Sequence, residues 1–339
     1  MKKQTWILVG GDTLLGREVR DLVEEKKLPV RLDLRAGQAD ERVITRDDDE
    51  LSVMEPLDAD ALRDAAVVLI ATSGEAAASA LALVRSSGAR ATVVDATGAL
   101  EDLPESRLRA PAIEDAGAPF AAGAIHTVVH PAASALSRLL TLLHGAYPIR
   151  SAVVTLFEPA SARGKQAVDE LHRQTIELFS FHAMPKAVFD TQASFNLLPR
   201  LGDEAPVSLR SGERRIEKHL ASMLETRGVP LPSLRLIHAP VFHGYCQSVW
   251  VEFESRPPVA EVEKMLGKEG VDVRSADVEP ASNTGVAGQG GITVSDVARD
   301  HAHPRAMWLW MASDNLRNSA ENAILVAGLA AKQAQSEGR

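Results

Sequence analysis

Residues 5–16, TWILVGGDTLLG, decide the fold of the N-terminal half of this chain. Residues 6–9 form a short apolar run that is typical of a buried strand. The glycine turn that follows leads into residues 14–25, where apolar side chains recur at the spacing of one helix face. A strand, a tight turn and a helix in this order predict the first unit of an α/β domain.

The turn itself carries the pattern of a phosphate-binding loop. Gly10 and Gly16 occupy the outer positions of G-x-x-G-x-x-G, and Thr13 stands in the middle. The N–H groups of a helix N-terminus bind a dinucleotide pyrophosphate at such a turn, although the Cβ of Thr13 would reduce the room for it. A tight strand-to-helix turn that binds no ligand has the same pattern, so both interpretations remain.

Further strands and helices alternate through the first 128 residues. Residues 66–71 (AVVLIA) and 91–94 (ATVV) are continuous apolar runs, as expected of parallel strands that are buried on both faces. The alanine-rich residues 76–86 between them have a helical pattern. Strands that alternate with helices predict an α/β fold with a doubly wound parallel sheet.

The pattern changes after residue 128, and we expect a second α+β domain over residues 129–314. The final helical pattern is expected to return to the first domain, which then comprises residues 1–128 and 315–339. Residues 249–253 alternate apolar and polar side chains, so the apolar face of their strand needs a cover. A second copy of the chain would supply that cover.

Composition excludes several functions. The formal net charge of −9 over 339 residues argues against nucleic-acid binding, which requires a basic surface. The single cysteine, Cys246, excludes an internal disulfide and is typical of a reducing cytoplasm. No stretch approaches the ~20 consecutive apolar residues of a membrane span. We therefore expect a cytoplasmic protein that binds neither nucleic acid nor membranes.

Two other chemically attractive features have ordinary explanations. His301 and His303 flank Ala302, but no further residues complete a recognisable zinc ligand set, so we expect no metal site. Cys246 follows Tyr245 on a predicted strand, where successive side chains face opposite ways. If Tyr245 faces a pocket, Cys246 faces away from it, and we expect a buried, inert thiol.

Five stretches, in order along the chain, resemble motifs of the aspartate-semialdehyde dehydrogenase family. They cover nearly the whole chain and lie at residues 9–16, 93–99, 161–175 (SARGKQAVDELHRQT), 240–244 (PVFHG) and 313–317 (SDNLR). The Usg-type branch of the family is the most similar. It shares D-x-[ST]-G-A-L-E at residues 95–101 and F-D-x-Q-x-[AS]-F-N-L-L at residues 189–198.

The resemblance implies a Rossmann domain joined to a catalytic-type dimerisation domain, and hence a homodimer. The family reversibly reduces and dephosphorylates β-aspartyl phosphate with NADPH, through a cysteine thiolate and an acid/base histidine. Arg35 follows the second strand, where the 2′-phosphate of NADP would lie, although a solvated arginine is equally consistent. The resemblance implies a site for NADP or NAD, with weak or absent affinity, at Gly10, Thr13, Gly16, Arg35, Thr72, Ser73 and Asn315.

The same motifs place other residues where the family keeps its catalytic groups. The cysteine position falls on Ala133, or on Ala132 in an alternative register, and the histidine position falls on Tyr245. The other pocket positions carry Glu101 for a phosphate-binding arginine, Glu158 for a glutamine, Arg215 for a lysine and His238 for a substrate-binding arginine. Two carboxylates without partners would repel a dianionic substrate.

These departures predict a catalytically inactive or repurposed homodimer of the family, with NAD(P) binding that is weak or absent. Two alternatives remain. One is an active NAD(P)-dependent oxidoreductase that acts on an aldehyde or another carbonyl compound, with Tyr245 or His238 as proton donor. The other is a non-enzymatic interaction protein whose nucleotide crevice is closed.

Overall fold

The computed structural model describes residues 3–37, 43–47, 50–114, 120 and 123–337, and for residues 43–47, 50–52 and 335–337 it describes the backbone only. The chain divides into two compact units, residues 1–130 with 319–339 and residues 131–318. The sequence patterns placed these divisions after residues 128 and 314. The first turn of the last helix, which contains Asn315, therefore belongs to the second unit and not to the first.

The first unit alternates strands with helices. Its elements are β1 (Gln4–Val9), α1 (Leu14–Glu25), β2 (Val30–Arg35), β3 (Val43–Asp47), β4 (Glu50–Met54), α2 (Ala59–Leu62), β5 (Ala65–Ile70), α3 (Gly74–Ser86), β6 (Thr92–Asp95), β7 (Ser106–Arg109) and β8 (Ile125–Val128). The sequence patterns did not identify β3, β4, β7 or β8. These strands have only four or five residues, most with polar side chains among them, so they present no continuous apolar run.

Six of these strands form a parallel sheet in the order β2-β1-β5-β6-β8-β7, and β3 pairs with β4 in a separate antiparallel hairpin. One face of the parallel sheet packs on α1 and on the C-terminal helix, and the other face packs on α2 and α3. The C-terminal helix contributes small buried residues, among them Ala320, Ala323 and Ala327, which allow close approach to the sheet. The predicted doubly wound α/β fold is confirmed.

The second unit contains helices and a mixed sheet. Its elements are α4 (Pro131–Ala146), β9 (Ile149–Glu158), α5 (Lys165–Ser180), α6 (Leu209–Leu224), β10 (Ser233–His238), β11 (Tyr245–Phe253), α7 (Val259–Lys268), β12 (Asp272–Arg274), β13 (Thr293–Arg299), β14 (Ala306–Ser313) and the start of α8 (Asn315–Glu337). The strand order is β10-β9-β11-β14-β13-β12. Among the described residues, no helix is both long and apolar enough to cross a bilayer.

The apolar face of β11 is covered within the chain. Val249, Val251 and Phe253 are fully buried. They lie on the same face of the sheet as Leu236, which packs against α6 at Gly212. The prediction that these three residues need a partner chain is wrong, because the helices of the same chain already exclude water from them.

The opposite face of this sheet is the one that remains open. Val153 of β9, Trp250 of β11 and Trp308 of β14 are direct neighbours across three adjacent strands. Val153 and Trp308 are 47% and 43% exposed. Trp250, between them, is half-buried. A row of large apolar side chains with exposed members is unusual on a monomeric surface. We refer to the row of Val153, Trp250 and Trp308 as the open face.

Candidate functional site

The turn between β1 and α1 packs so closely that its glycines are required. Gly10 has a φ of 91°, and a Cβ at this position would lie 2.9 Å from the carbonyl carbon of Ala71. A Cβ on Gly16 would overlap the carbonyl oxygen of Gly10. Only glycine accepts this combination of a left-handed φ and close backbone contacts. The glycine pattern is therefore needed for the fold of the turn, whether or not a ligand binds there.

The hydroxyl groups beside this turn are directed toward the backbone. Thr13 is the N-cap of α1, and its Oγ1 accepts a hydrogen bond from the N–H of Gly16 at 2.9 Å. Thr72 Oγ1 donates to the carbonyl oxygen of Gly37 at 3.0 Å. Ser73 precedes α3 as its N-cap residue, without a side-chain capping bond. The remaining N–H groups of the first helical turn have no intrahelical acceptor.

Arg35, the last residue of β2, is enclosed by acceptors. Its Nη2 donates to Asp33 Oδ2 at 3.1 Å, and its Nη1 donates to Asp58 Oδ2 at 3.1 Å and to the carbonyl oxygen of Pro56 at 3.2 Å. The Arg35 side chain is 15% exposed. Arg35 is therefore neither a solvated surface arginine nor an open anion-binding group.

In the second unit, Glu158 at the end of β9 forms a buried ion pair. Its Oε2 accepts a hydrogen bond from Arg163 Nε at 2.8 Å, and the two side chains are only 7% and 8% exposed. Burial raises the pKa of Glu158, and the positive charge of Arg163 opposes that shift. The expectation of a carboxylate without a partner is wrong at this position, because Arg163 compensates its charge.

His238 ends β10 directly beside Glu158, its partner in the parallel pair of β9 and β10. The imidazole ring lies 4.6 Å from the Phe189 ring, measured between centroids, and Nδ1 lies 4.0 Å from Glu158 Oε2. Burial, assisted by the charge of Arg163, lowers the pKa of His238 to about 4. The ring is therefore neutral near pH 7, and it supplies no positive charge for a substrate carboxylate.

Tyr245 begins β11 and is fully buried. Burial and the nearby Glu158 carboxylate raise the pKa of its phenol well above the ordinary value, while Arg163 and Arg215 act in the opposite direction. Ala133, in the first turn of α4, is also fully buried. The positions that the motifs equate with an acid/base group and a nucleophile thus carry a weakly acidic phenol and a methyl group.

Cys246 lies on the other face of β11 from Tyr245. Its side chain packs in an apolar cluster with Ala281, Val286 and Ala312. Burial raises the pKa of the Cys246 thiol to about 11. Only the thiolate is a strong nucleophile, so this cysteine is protonated and unreactive near pH 7.

Asn315 uses its carboxamide to join two loops of the second unit. Its Oδ1 accepts from the N–H of Gly244 at 3.1 Å, and its Nδ2 donates to Ser161 Oγ at 3.1 Å. One loop leads into Tyr245 and the other carries Arg163. The side chain that the motifs suggested as a cofactor ligand thus has a structural role within the second unit.

The remaining predicted residues are Glu101, Arg215 and the histidines at positions 301 and 303. Glu101 is half-buried in the turn after β6, in the first unit. Arg215 on α6 is also half-buried, and its charge acts to lower the pKa of Tyr245. Asp300 accepts hydrogen bonds from the N–H groups of Ala302 and His303, which orders that loop. Within the described ranges, no group of three or more His, Cys, Asp or Glu side chains could hold a metal ion.

Arg163 and Phe189 belong to the Glu158 cluster, and neither was identified from the sequence. One feature of the sequence could have indicated Arg163. Glu158 stands where the family motif has a glutamine, and a buried carboxylate requires a cation nearby. Phe189 gave no such signal. Its loop is held by two buried residues of α5: Glu170 Oε1 accepts from the N–H of Phe189 at 3.1 Å, and Gln174 Oε1 accepts from the N–H of Ala193 at 2.7 Å.

Acid is expected to destabilise the fold, with His238 as one cause. The pKa of His238 in the folded chain, about 4, lies below its ordinary value of 6.5. Between these two values the unfolded chain takes up a proton that the folded chain does not, so unfolding is favoured. This contribution to stability is complete above pH 6.5, is lost as the pH falls toward 4, and amounts to at most ~3 kcal/mol.

Urea unfolding between pH 7 and pH 4.5 measures this effect. The His238→Gln variant should show a smaller change in unfolding free energy with pH than the unmodified protein, whatever its absolute stability. His126, whose pKa burial also lowers to about 4, contributes equally to both proteins. His301→Gln, at an exposed position, is the control. Equal pH slopes for the unmodified protein and His238→Gln would contradict the assignment.

The second unit matches a known family. A family model described as the semialdehyde dehydrogenase dimerisation domain matches residues 140–318. The chain is 32% identical over 197 residues to an aspartate-semialdehyde dehydrogenase of Rickettsia bellii, a region that spans 57% of each chain. It is 29% identical over 334 residues to a USG-1 protein homolog of Pseudomonas aeruginosa, which covers 96% of this chain and 97% of the relative.

Solved structures share the fold of both units. The aspartate semialdehyde dehydrogenase II of Vibrio cholerae, complexed with ASA, matches with a TM-score of 0.81 at 22% identity and covers 97% of this chain and 98% of that one. The Candida albicans enzyme with NADP matches with a TM-score of 0.64 at 14% identity, over 98% and 99% of the two chains. At these identities the structures establish the fold alone. The resemblance inferred from the sequence motifs is confirmed.

Proposed function

The chain belongs to the semialdehyde dehydrogenase family, and on that premise we propose that it is a dinucleotide-binding homodimer that does not catalyse the thiol-dependent reaction of aspartate-semialdehyde dehydrogenases. The proposal has three parts, which are the loss of the thiol-dependent reaction, dinucleotide binding and dimer formation. A different observation supports each part. A cytoplasmic location is also proposed, because the only cysteine, Cys246, is a free thiol.

The observation that carries the proposal is the chemistry of three motif positions in the second unit, two of which, His238 and Tyr245, lie near Glu158. The motif alignment puts a nucleophile at Ala133, an acid/base group at Tyr245 and a substrate-binding cation at His238. In the structure these are a buried methyl group, a phenol with a raised pKa and a neutral imidazole packed against an aromatic ring. Covalent acyl transfer needs an activated nucleophile with a base in reach, and these three positions supply neither.

The dinucleotide part of the proposal is supported by the turn between β1 and α1. The close contact of Gly16 with Gly10 and the capping role of Thr13 leave the first turn of α1 as a compact anion site. A nicotinamide cofactor bound there would supply hydride chemistry, and these backbone groups would hold its pyrophosphate. Calorimetric titration of the purified protein with NAD and NADP tests this part, and the absence of binding by either one up to ~1 mM would count against it.

The alternative of an active carbonyl oxidoreductase has less support. It requires Tyr245 or His238 to deliver a proton to a substrate. Both side chains are fully buried, and their pKa values are shifted away from neutral pH in opposite directions. A proton donor works best when its pKa lies near the working pH. Reduction of an aldehyde panel by NADH or NADPH would restore this alternative.

The dimer is supported by the open face of the second sheet. Val153, Trp250 and Trp308 form an apolar row on the strands that the family model assigns to a dimerisation domain. Phe157 and Trp310, whose rings lie 5.8 Å apart on the same strands, are half-buried and pack against the Cys246 cluster. Burial of such aromatic side chains is the main source of binding energy at protein interfaces. A second copy of this chain is therefore proposed as the partner of the open face.

Light scattering at micromolar concentration should show that the unmodified protein is a dimer. Val153→Glu should raise the dissociation constant of this dimer by about 100-fold, because a glutamate at an apolar interface loses its hydration without gaining a partner. Val278→Glu is the matched control, since Val278 is also in the second unit and is similarly exposed, at 50%. If both variants dissociate equally, or if the unmodified protein is a monomer, the open face is not a dimer interface.

A further inference from the structure

The C-terminal end of β2 carries a cluster of three charged side chains. Arg35 lies between two carboxylates, with Nη2 on Asp33 Oδ2 and Nη1 on Asp58 Oδ2, each at 3.1 Å. Both terminal nitrogens of the guanidinium are thus engaged, and the Arg35 side chain is 15% exposed. The carboxylates lie nearer to solvent, at 23% exposure for Asp33 and 55% for Asp58.

The cluster has an excess of negative charge, because two carboxylates surround one guanidinium. Asp58 also caps α2, and its Oδ1 accepts a hydrogen bond from the N–H of Ala61 at 2.7 Å. That hydrogen bond, and secondarily the charge of Arg35, lowers the pKa of Asp58, so its carboxylate is ionised at neutral pH. A third carboxylate, Asp12, lies in the turn between β1 and α1 and accepts the N–H of Gly37 at 2.7 Å.

The position of this cluster determines which part of a dinucleotide it would meet. In doubly wound nucleotide-binding domains, the end of the second strand lies beside the adenosine ribose. A carboxylate there accepts hydrogen bonds from the ribose hydroxyls of NAD, whereas an unengaged arginine pairs with the 2′-phosphate of NADP. In this chain the arginine is already paired, and the groups nearest to solvent are the carboxylates of Asp33 and Asp58.

We propose that Asp33 and Asp58 make this chain select NAD over NADP. The proposal rests on the dinucleotide-binding function proposed above and specifies its ligand. A 2′-phosphate dianion would lie close to two carboxylates, and Arg35 would have to leave both charge-assisted hydrogen bonds to reach it. The 2′-hydroxyl of NAD instead donates a hydrogen bond to a carboxylate and requires no rearrangement of Arg35.

Calorimetric titration of the full chain with NAD and with NADP tests the proposal, on the unmodified protein and on Asp33→Asn/Asp58→Asn. Asparagine keeps the shape of both side chains and retains the N-cap of α2. The unmodified protein should bind NAD at least ~10-fold more tightly than NADP. The double variant removes both ion-pair partners of Arg35, so its preference for NAD should fall by at least ~10-fold, and the change should diminish at high salt. Asp60→Asn, at an exposed carboxylate of the same short helix, is the control and should keep the original preference.

The outcomes separate the two proposals. Equal or tighter binding of NADP by the unmodified protein would overturn the selection of NAD but leave dinucleotide binding intact. An unchanged preference in Asp33→Asn/Asp58→Asn, with NAD still bound, would show that these carboxylates do not set it. If the folded protein binds neither compound, dinucleotide binding itself fails, and the inference fails with it.

Discussion

The purified protein is expected to form no NADPH from aspartate semialdehyde, phosphate and NADP, and Ala133→Cys is expected not to restore the reaction. The substitution supplies a thiol but leaves Tyr245, a buried phenol with a raised pKa, where a proton shuttle is needed. It also leaves His238 neutral and packed on Phe189, where a cation would hold the substrate carboxylate. Because catalytic residues act as a unit, turnover should stay at least ~10³-fold below the ~10 per second of ordinary enzymes.

The assay follows absorbance of the reduced cofactor, with NAD tested beside NADP and the Vibrio cholerae enzyme as positive control. Circular dichroism establishes that Ala133→Cys is folded, and Ala132→Cys covers the alternative register of the motif. Turnover near ~1 per second by the unmodified protein would overturn the proposed loss of function. Cys246→Ser would then show whether Cys246 is the nucleophile, against its burial and its raised pKa of about 11.

Replacement of Arg163 by methionine is expected to cost ~3–5 kcal/mol of unfolding free energy. Glu158 and Arg163 are both more than nine-tenths buried, so removal of the guanidinium leaves a carboxylate in the protein interior without its counter-charge. Glu158→Gln/Arg163→Met should recover most of this loss, because a neutral amide has a much smaller desolvation cost than a carboxylate. Chemical denaturation of the three proteins measures both effects.

The matched control is Lys165→Met, two residues away. Lys165 pairs with Asp169 at 2.6 Å on the surface of α5, where an exposed pair contributes ~0.5 kcal/mol or less. The pH dependence gives a second check. Without Arg163, the pKa of Glu158 in the folded chain rises further above its unfolded value, so the deficit of Arg163→Met should shrink as the pH falls. A deficit that matches that of Lys165→Met would show that the ion pair has no stabilising role.

Local pattern was enough to predict the α/β class of the first unit, although four of its eight described strands were not identified. The continuous apolar run at residues 66–71 corresponds to β5 (Ala65–Ile70), and the glycine turn and helical spacing correspond to β1 and α1. Burial on both faces of a parallel strand removes polar residues from its sequence, so the strand can be recognised without its neighbours. The alternating strand at residues 249–253 was also recognised. Its apolar face was expected to be buried by a second copy of the chain, whereas helices of the same chain bury it. Alternation shows that one face is buried and does not identify what buries it.

The contacts within the candidate site could not be predicted from local sequence pattern alone. Motif positions drew attention to Ala133, Glu158, His238 and Tyr245, because a residue type at a fixed offset in a motif can be read directly. The partners of these residues could not be read in the same way. Phe189 meets His238 only because the loop after α5 is held by Glu170 and Gln174. Asn315 meets Gly244 across a gap of 71 residues.

The sequence by itself determined the fold class, the family and the chemical identity of each candidate group, because apolar periodicity, glycine turns and motif order are properties of neighbouring residues. Only the tertiary structure decided the charge state of those groups and the surface that remains open. Glu158 is compensated, Arg35 is occupied, His238 is neutral, and the apolar row at Val153 faces outward. The physical reason is that pKa, ion pairing and burial depend on atoms within a few ångströms, and folding brings most of those atoms from distant parts of the chain.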